Sequence, residues 1–222
     1  MSTLTKVAMG LMGKMRPLPA TGEGMALIAL PAPAISGGMP LLDALRQRQS
    51  GREFSPEAIP AQLLSNLLWA GFGINRKDKG GRTAPSAINS QEIDVYAAMP
   101  SGLYRYEPHA HVLQMTSAED VRRVTGYQDF VDEAPLDLIY VADHTRMRMV
   151  PAAQRESYAS VAAGAIAENI YLYCASAGLA TVIRAWIDRN ALTHAMALTP
   201  DHQVLLSQTV GFPRNSSHLI LP

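Results

Sequence analysis

Arg46, Arg48 and Arg52 fall within one short run, Arg46-Gln47-Arg48-Gln49-Ser50-Gly51-Arg52, with the Ser50 hydroxyl among them. Such a run can hold an anion, because a guanidinium grips phosphate or carboxylate through two parallel N–H bonds and keeps its charge at any working pH. The same residues also suit a solvated helix end, where cations face the negative end of the backbone dipole. Spacing alone leaves both readings open. A second segment, Thr83-Ala84-Pro85-Ser86-Ala87-Ile88-Asn89-Ser90-Gln91, combines small residues with side chains that donate and accept. It can edge a polar heterocycle, with the Asn89 amide complementary to an imide, or it can be a loop with ordinary turn chemistry.

Other reactive side chains carry less. His109 and His111 sit two apart near an expected hairpin tip, where a strand would put them on one face. No third ligand follows at metal spacing, so no metal site is expected. Tyr171 and Tyr173 read as packing residues of a helix. Cys174, the single cysteine, reads as a buried thiol in an apolar run and excludes an intrachain disulfide. No G-x-G-x-x-G follows a strand, and there is no Walker A loop, H-E-x-x-H or G-x-S-x-G.

The elements that must position these groups follow from periodicity. Leu41, Leu42 and Leu45 share a helical face, and Leu63, Leu64, Leu67 and Leu68 form a stripe after Pro60 that ends at Gly71 and Gly73. Arg76 to Arg82 reads as an exposed charged loop. Ile93 to Ala97 alternates as a strand, and Gly102 to Tyr106 pairs with Val112 to Met115 as a hairpin. Leu136 to Val141 suits a central strand. A long helix from Ala152 to Ala177 closes at Gly178, and strands are expected over Ala180 to Ile187 and Val204 to Val210. The Ala- and Gly-rich middle of the long helix suits close packing against a twin.

The chain has 222 residues, 48% hydrophobic and 17% charged, which fits one folded domain with a sizeable core. Residues 1–40 read as an extended N-terminal arm, rich in Pro, Gly and Ala from residue 16 onward, and 41–222 as the single domain. Basic and acidic side chains number 19 each, so no bulk field favours nucleic acid or an anionic membrane. Lys6, Lys14 and two glycines break the apolar start of the chain, a poor signal peptide and no membrane span, and the expectation is a cytoplasmic protein.

Taken in order, these segments resemble the flavin-dependent nitroreductase family, and most nearly its branch of thiazoline-oxidase-type dehydrogenases from peptide-toxin maturation. The resemblance rests on Arg48-x-Ser50-x-Arg52, Leu67-Leu68-Trp69-Ala70 with Gly73-Ile74-Asn75-Arg76, and Pro85-Ser86-x-x-Asn89-x-Gln91. It continues through Gly102-Leu103-Tyr104-Arg105-Tyr106, Glu168-Asn169, Gly178-Leu179 and Val210-Gly211-Phe212-Pro213. It implies an α+β fold, a central mostly antiparallel sheet surrounded by helices, in an intertwined homodimer with FMN at the interface. Arg48, Gln49 and Ser50 then resemble the holders of the FMN phosphate and ribityl chain, and Arg52 the cation beside flavin N1 and the C2 carbonyl. Pro85, Ser86, Ala87 and Asn89 resemble the loop lining the isoalloxazine. Arg184, Ala185 and Trp186 resemble the strand whose N–H groups approach flavin N5 and O4.

The resemblance implies hydride transfer from NAD(P)H to an electron-poor acceptor such as a nitroaromatic or quinone, with no catalytic side chain needed. A dehydrogenase acting on another donor and a flavin-binding protein without turnover are the alternatives. Relatives close the phosphate site with a Lys and an Arg near the C-terminus. This chain has no lysine after Lys79, so Arg214 is the nearest candidate. The missing lysine also argues against the Lys-Tyr chemistry of azoline oxidation and against halotyrosine deiodination.

Overall fold

The computed structural model describes residues 1–20 and 24–214. The N-terminal segment carries helix α1 (Thr3–Leu11) and two short strands, β1 (Leu18–Pro19) and β2 (Leu27–Ala29). Helices α2 (Leu41–Gln47) and α3 (Ala61–Phe72) follow, then a small hairpin, β3 (Ile74–Arg76) with β4 (Gly81–Arg82). The main strands are β5 (Ile93–Met99), β6 (Gly102–Glu107) and β7 (Val112–Ser117), followed by short β8 (Glu119–Asp120) and central β9 (Leu136–Asp143). The chain continues through α4 (Ala152–Ala177), β10 (Ala180–Arg184), α5 (Arg189–Ala195) and β11 (His202–Gly211).

The central sheet has seven strands in the order β10-β11-β9-β5-β6-β7-β2, each pair antiparallel. Period-two alternation splits its side chains between two cores. Ile93, Val95 and Ala97 of β5 with Leu136, Leu138 and Tyr140 of β9 face α3 and α4. Tyr96, Ala98, Ile139 and Val141 face the other side, under Leu192 of α5 and Met15.

Helix α3 buries Leu64, Leu67 and Leu68, each worth about 1.5–3 kcal/mol if fully removed from water. Gly71 is internal to α3, and a Cβ there would stand 2.6 Å from Ile170 Cδ1, so its lack of a side chain permits the close α3–α4 crossing. The small residues of α4 serve the same purpose: Ala159, Ala162, Ala163 and Ala167 are buried in the protomer's own core. They are therefore no signal for a twin by themselves. Helix α4 spans the predicted residues and ends on Gly178 at φ 69°, a left-handed cap that glycine adopts freely.

Four expectations shift. Residues 1–40 are not an extended arm throughout, since Thr3–Leu11 is helical and β1 and β2 pair with β8 and β7. Ser2 caps that helix by accepting the Thr5 N–H, and Lys6 anchors it on the Asp132 carboxylate and the Gln128 carbonyl. The strand expected over Ala180 to Ile187 ends at Arg184. The stretch from Arg76 to Arg82 is the turn and second strand of a small hairpin, since β3 ends on Arg76 and β4 is Gly81–Arg82. The leucines of α2 do share a face, but it is turned outward, with Leu41, Leu42 and Leu45 all exposed and Ala44 buried instead.

Candidate functional site

Strand β10 is the edge of the sheet, so one row of its peptide groups is free of strand partners. The run after α2 occupies part of that edge: Gly51 N–H donates to Thr181 O at 3.0 Å. A Cβ on Gly51 would lie 2.9 Å from that of Ala180, so only glycine lets the run approach so closely. Beyond it the chain follows the end of β11, with Ser55 N–H donating to Phe212 O and Arg214 N–H to Glu53 O.

Residues two apart on this extended run share a face, and Arg48 and Ser50 both meet Tyr171 of α4. The Arg48 guanidinium stacks 5.3 Å from the Tyr171 ring centre, a cation–π contact. The Ser50 and Tyr171 hydroxyls are 2.8 Å apart, and the Tyr171 oxygen also accepts the Ile183 N–H at 3.0 Å. Tyr171 is thus more than packing. Its position in an apolar helix hid this, since the partners come from residues 121 and 12 positions away.

A cleft of about 430 Å³ opens here, lined by Gln49, Ser50, Arg52, Glu53, Tyr171 and Thr181 among others. The carbonyl end of α4 also faces it through Ala175 and Gly178. Of the three arginines in the run, Arg46 pairs with Asp43 at 3.0 Å, which is the solvated helix-end arrangement. Arg48 and Arg52 form no ion pair with a described residue. Among the described residues Arg52 makes only a long contact, 3.4 Å, to Ser50 O. Arg52 lines the cleft and Arg48 does not, standing beside it over the Tyr171 ring. One guanidinium, a hydroxyl and an open peptide edge in the lining, with a second guanidinium next to them, fit a phosphate-bearing ligand, despite the Glu53 carboxylate in the same wall.

The remaining predicted residues lie elsewhere. None of residues 85–89 lines this cleft. Their loop is held in an unusual shape: Ile88, Asn89 and Gln91 have φ of 49°, 56° and 49°. Asn tolerates this region, but for a β-branched residue it is an outlier costing about 1–3 kcal/mol. Ser86 Oγ accepts the Gln91 N–H at 2.9 Å, Ser90 Oγ donates to Ala87 O and to Glu92, and Arg82 Nε donates to Gln91 Oε1. Pro85, Ile88 and Asn89 are left exposed, with Ala87 half-buried. The Asn89 amide oxygen accepts from Gln91 at 3.2 Å, which leaves its NH2 free to donate.

At the far end of β10, the Arg184 side chain is buried, ion-paired to Asp137 at 2.6 Å and over the Phe130 ring. Only its backbone remains for a ligand. Ala185 and Trp186 are exposed, and Trp186 packs against Tyr127 with ring centres 5.1 Å apart. Arg214 donates to Phe54 O and to the Glu133 carboxylate at 2.5 Å, beside the anion run but outside the cleft lining. His111 is a structural group: its two ring nitrogens bond to Ser65 Oγ and Tyr106 OH, and burial lowers its basicity. Cys174 is buried, which pushes its thiol pKa up. Among the described residues no cluster has the makings of a metal site, and no helix is long and apolar enough to cross a membrane.

The frame is an α+β domain, an antiparallel sheet with helices on both faces and a basic run lying against its edge strand. The chain belongs to the nitroreductase family, whose model matches residues 45–212, and it is accordingly an oxidoreductase by family. It is 50% identical to a candidate nitroreductase of Ralstonia eutropha whose crystal structure superposes with a TM-score of 0.87, covering 92% of this chain and 96% of that one. A candidate nitroreductase of Methanocaldococcus jannaschii is 30% identical over 152 residues, 64% of this chain and 76% of its own. A candidate nitroreductase from Desulfovibrio desulfuricans, solved in complex with FMN, shares the fold at 24% identity and a TM-score of 0.57, over 84% of this chain and 94% of that one.

Proposed function

We propose that the chain binds FMN along the edge of β10, as a homodimer, and passes hydride from NAD(P)H to an electron-poor acceptor such as a nitroaromatic or quinone. The observation that carries this reading is the pair Arg48 and Arg52, flanking Ser50 without ion-pair partners among the described residues. FMN, when bound, supplies the two-electron chemistry, and the protein supplies position and charge.

Arg48, Gln49 and Ser50 then hold the phosphate and ribityl chain through charge-assisted and hydroxyl hydrogen bonds. Arg52 stands beside the flavin edge that gains negative charge on reduction, where a cation lowers the energy of the charged form. Arg214 anchors on Phe54 O and Glu133 and adds positive field to the phosphate end. Ala185 and Trp186 contribute backbone N–H groups, and Arg184 its backbone alone.

Pro85, Ser86, Ala87 and Asn89 line the ring from a second subunit. They lie outside the cleft of their own subunit, so this role needs the loop of a second copy. The exposed apolar side chains of α2, together with Tyr158 and Val161 of α4, give a second copy a surface to cover. The FMN complex of the Desulfovibrio structure supports the flavin.

The test is anaerobic stopped-flow mixing of the FMN-loaded protein with NADH and with NADPH, then with 4-nitrobenzoate or menadione. Bleaching of the flavin absorbance by a nicotinamide, and its return on adding acceptor, is expected. Protein that takes up no added FMN overturns the cofactor assignment; FMN bound but bleached by neither nicotinamide overturns the reductase reading.

A further inference from the structure

Helix α1 lies outside the span matched by the family model, yet it is keyed into the domain through one face. Thr3, Lys6 and Gly10 follow at i, i+3 and i+7, the spacing of a single helical stripe, and each meets the segment from 127 to 132. Thr3 Oγ1 donates to Asp129 at 2.7 Å. Lys6 is fully buried, and its ammonium donates to Asp132 at 2.6 Å and to Gln128 O at 2.8 Å. A lysine is rarely buried without such partners, because an uncompensated ammonium away from water costs several kcal/mol. The contact therefore sets the register of the helix on its seat.

That register brings Gly10 onto Tyr127. A Cβ at position 10 would stand 2.4 Å from Tyr127 Cε1, a distance that no side chain could keep without moving the ring. Tyr127 in turn packs against Trp186, which is 55% exposed and stands two residues beyond the end of β10. The chain of contact runs from Lys6 and Gly10 through Tyr127 to an exposed indole at the sheet edge. The position of this indole is set from behind by Tyr127, and through Tyr127 by α1.

We propose that α1 is a positioning element for the acceptor side of the FMN site: through Gly10 and Tyr127 it places Trp186 as a wall that limits the size of the acceptor admitted. The inference rests on the FMN reading above. An aromatic wall takes flat, electron-poor rings by offset stacking, which suits the nitroaromatic or quinone acceptor of that reading.

The test uses the full chain in a Trp69→Phe background, so that Trp186 is the remaining tryptophan. Gly10→Val should raise acrylamide quenching of Trp186 at least twofold in the FMN-free protein. In the FMN-loaded protein it should change the ratio of kcat/KM for menadione to that for 1,4-benzoquinone at least threefold, with the FMN Kd within twofold. Trp186→Ala should raise that ratio, and adding Gly10→Val to it should change nothing more, since coupled residues do not add.

Lys6→Met, which keeps bulk and removes the charge, gives the same readouts if Gly10→Val does not fold. Unchanged quenching, or a uniform fall of both quinone rates with an unchanged ratio, overturns the proposal. Wild-type protein that fails to bind or reduce FMN overturns the underlying reading. That outcome is distinguishable because it precedes any variant, and the quenching of FMN-free protein is unaffected by it.

Discussion

The Tyr171 and Ser50 hydroxyls stand 2.8 Å apart, while the same phenol oxygen accepts the Ile183 N–H at 3.0 Å. One side chain of α4 thereby ties the anion run to strand β10. Tyr171→Phe removes both bonds and keeps the ring beneath Arg48. A hydrogen bond of this kind contributes about 0.5–1.5 kcal/mol net, so the FMN Kd should rise about threefold to tenfold. Fluorescence titration of FMN checks this, and an unchanged Kd would show that Ser50 does not depend on Tyr171.

Arg48→Ala should weaken FMN retention by about 2 kcal/mol or more, because it removes a charge-assisted phosphate contact. FMN occupancy after dialysis reads this directly, and full occupancy would remove Arg48 from the site. Arg52→Ala has a different signature. It should lower the flavin midpoint potential, since the reduced form loses a nearby cation. A potential equal to that of the wild type would show that Arg52 points away from the ring.

The regular elements were readable in the sequence because their signals are local. The α4 span was legible from its helical run closed by Gly178, and the β6–β7 pairing from two alternating runs separated by a short turn. The basic run was readable as an anion site or a helix end: Arg46 takes the helix-end arrangement, while Arg48 and Arg52 form no ion pair with a described residue and are left for the anion reading. Long-range partners were not readable. Arg184 resembled part of a flavin strand, but its side chain finds Asp137, 47 positions away. The helical seat of α1 depends on Asp132, 126 positions from Lys6, so residues 1–40 read as an arm. Nothing in local propensity announces a lysine that will be buried.

The backbone at Ile88 offers a test of strain against function. Its φ of 49° is costly for a β-branched residue, and its side chain is exposed and makes no core contact. Ile88→Gly should therefore stabilise the protein by about 1 kcal/mol, the relief of the left-handed conformation less the added freedom of the unfolded chain. Urea denaturation of the FMN-free protein measures it. FMN binding should weaken at the same time, because the loop loses a rigid edge. A stability unchanged or lowered would mean that the surrounding hydrogen bonds, and not the residue, determine the conformation.

The seat of α1 should respond to acid. Burial alone would raise the Asp132 carboxyl, but hydrogen bonds and charge from Lys6, with a further bond from Arg123, outweigh it and hold the group below the usual carboxylate range. A depressed folded-state value means that the contact's contribution is complete above the unfolded value, about 4, and is lost as pH falls through the lower, folded one. Lys6 is then left buried beside a neutral acid, and the helix should lift from residues 127–132. Acrylamide quenching of Trp186 in the Trp69→Phe background, followed from pH 7 to pH 3 in FMN-free protein, should rise only toward the acid end of that range. Asp132→Asn should show raised quenching already at pH 7 and no further acid step. If the wild type and Asp132→Asn trace the same pH profile, the acid response belongs to another group and the Lys6–Asp132 pair does not hold the helix down.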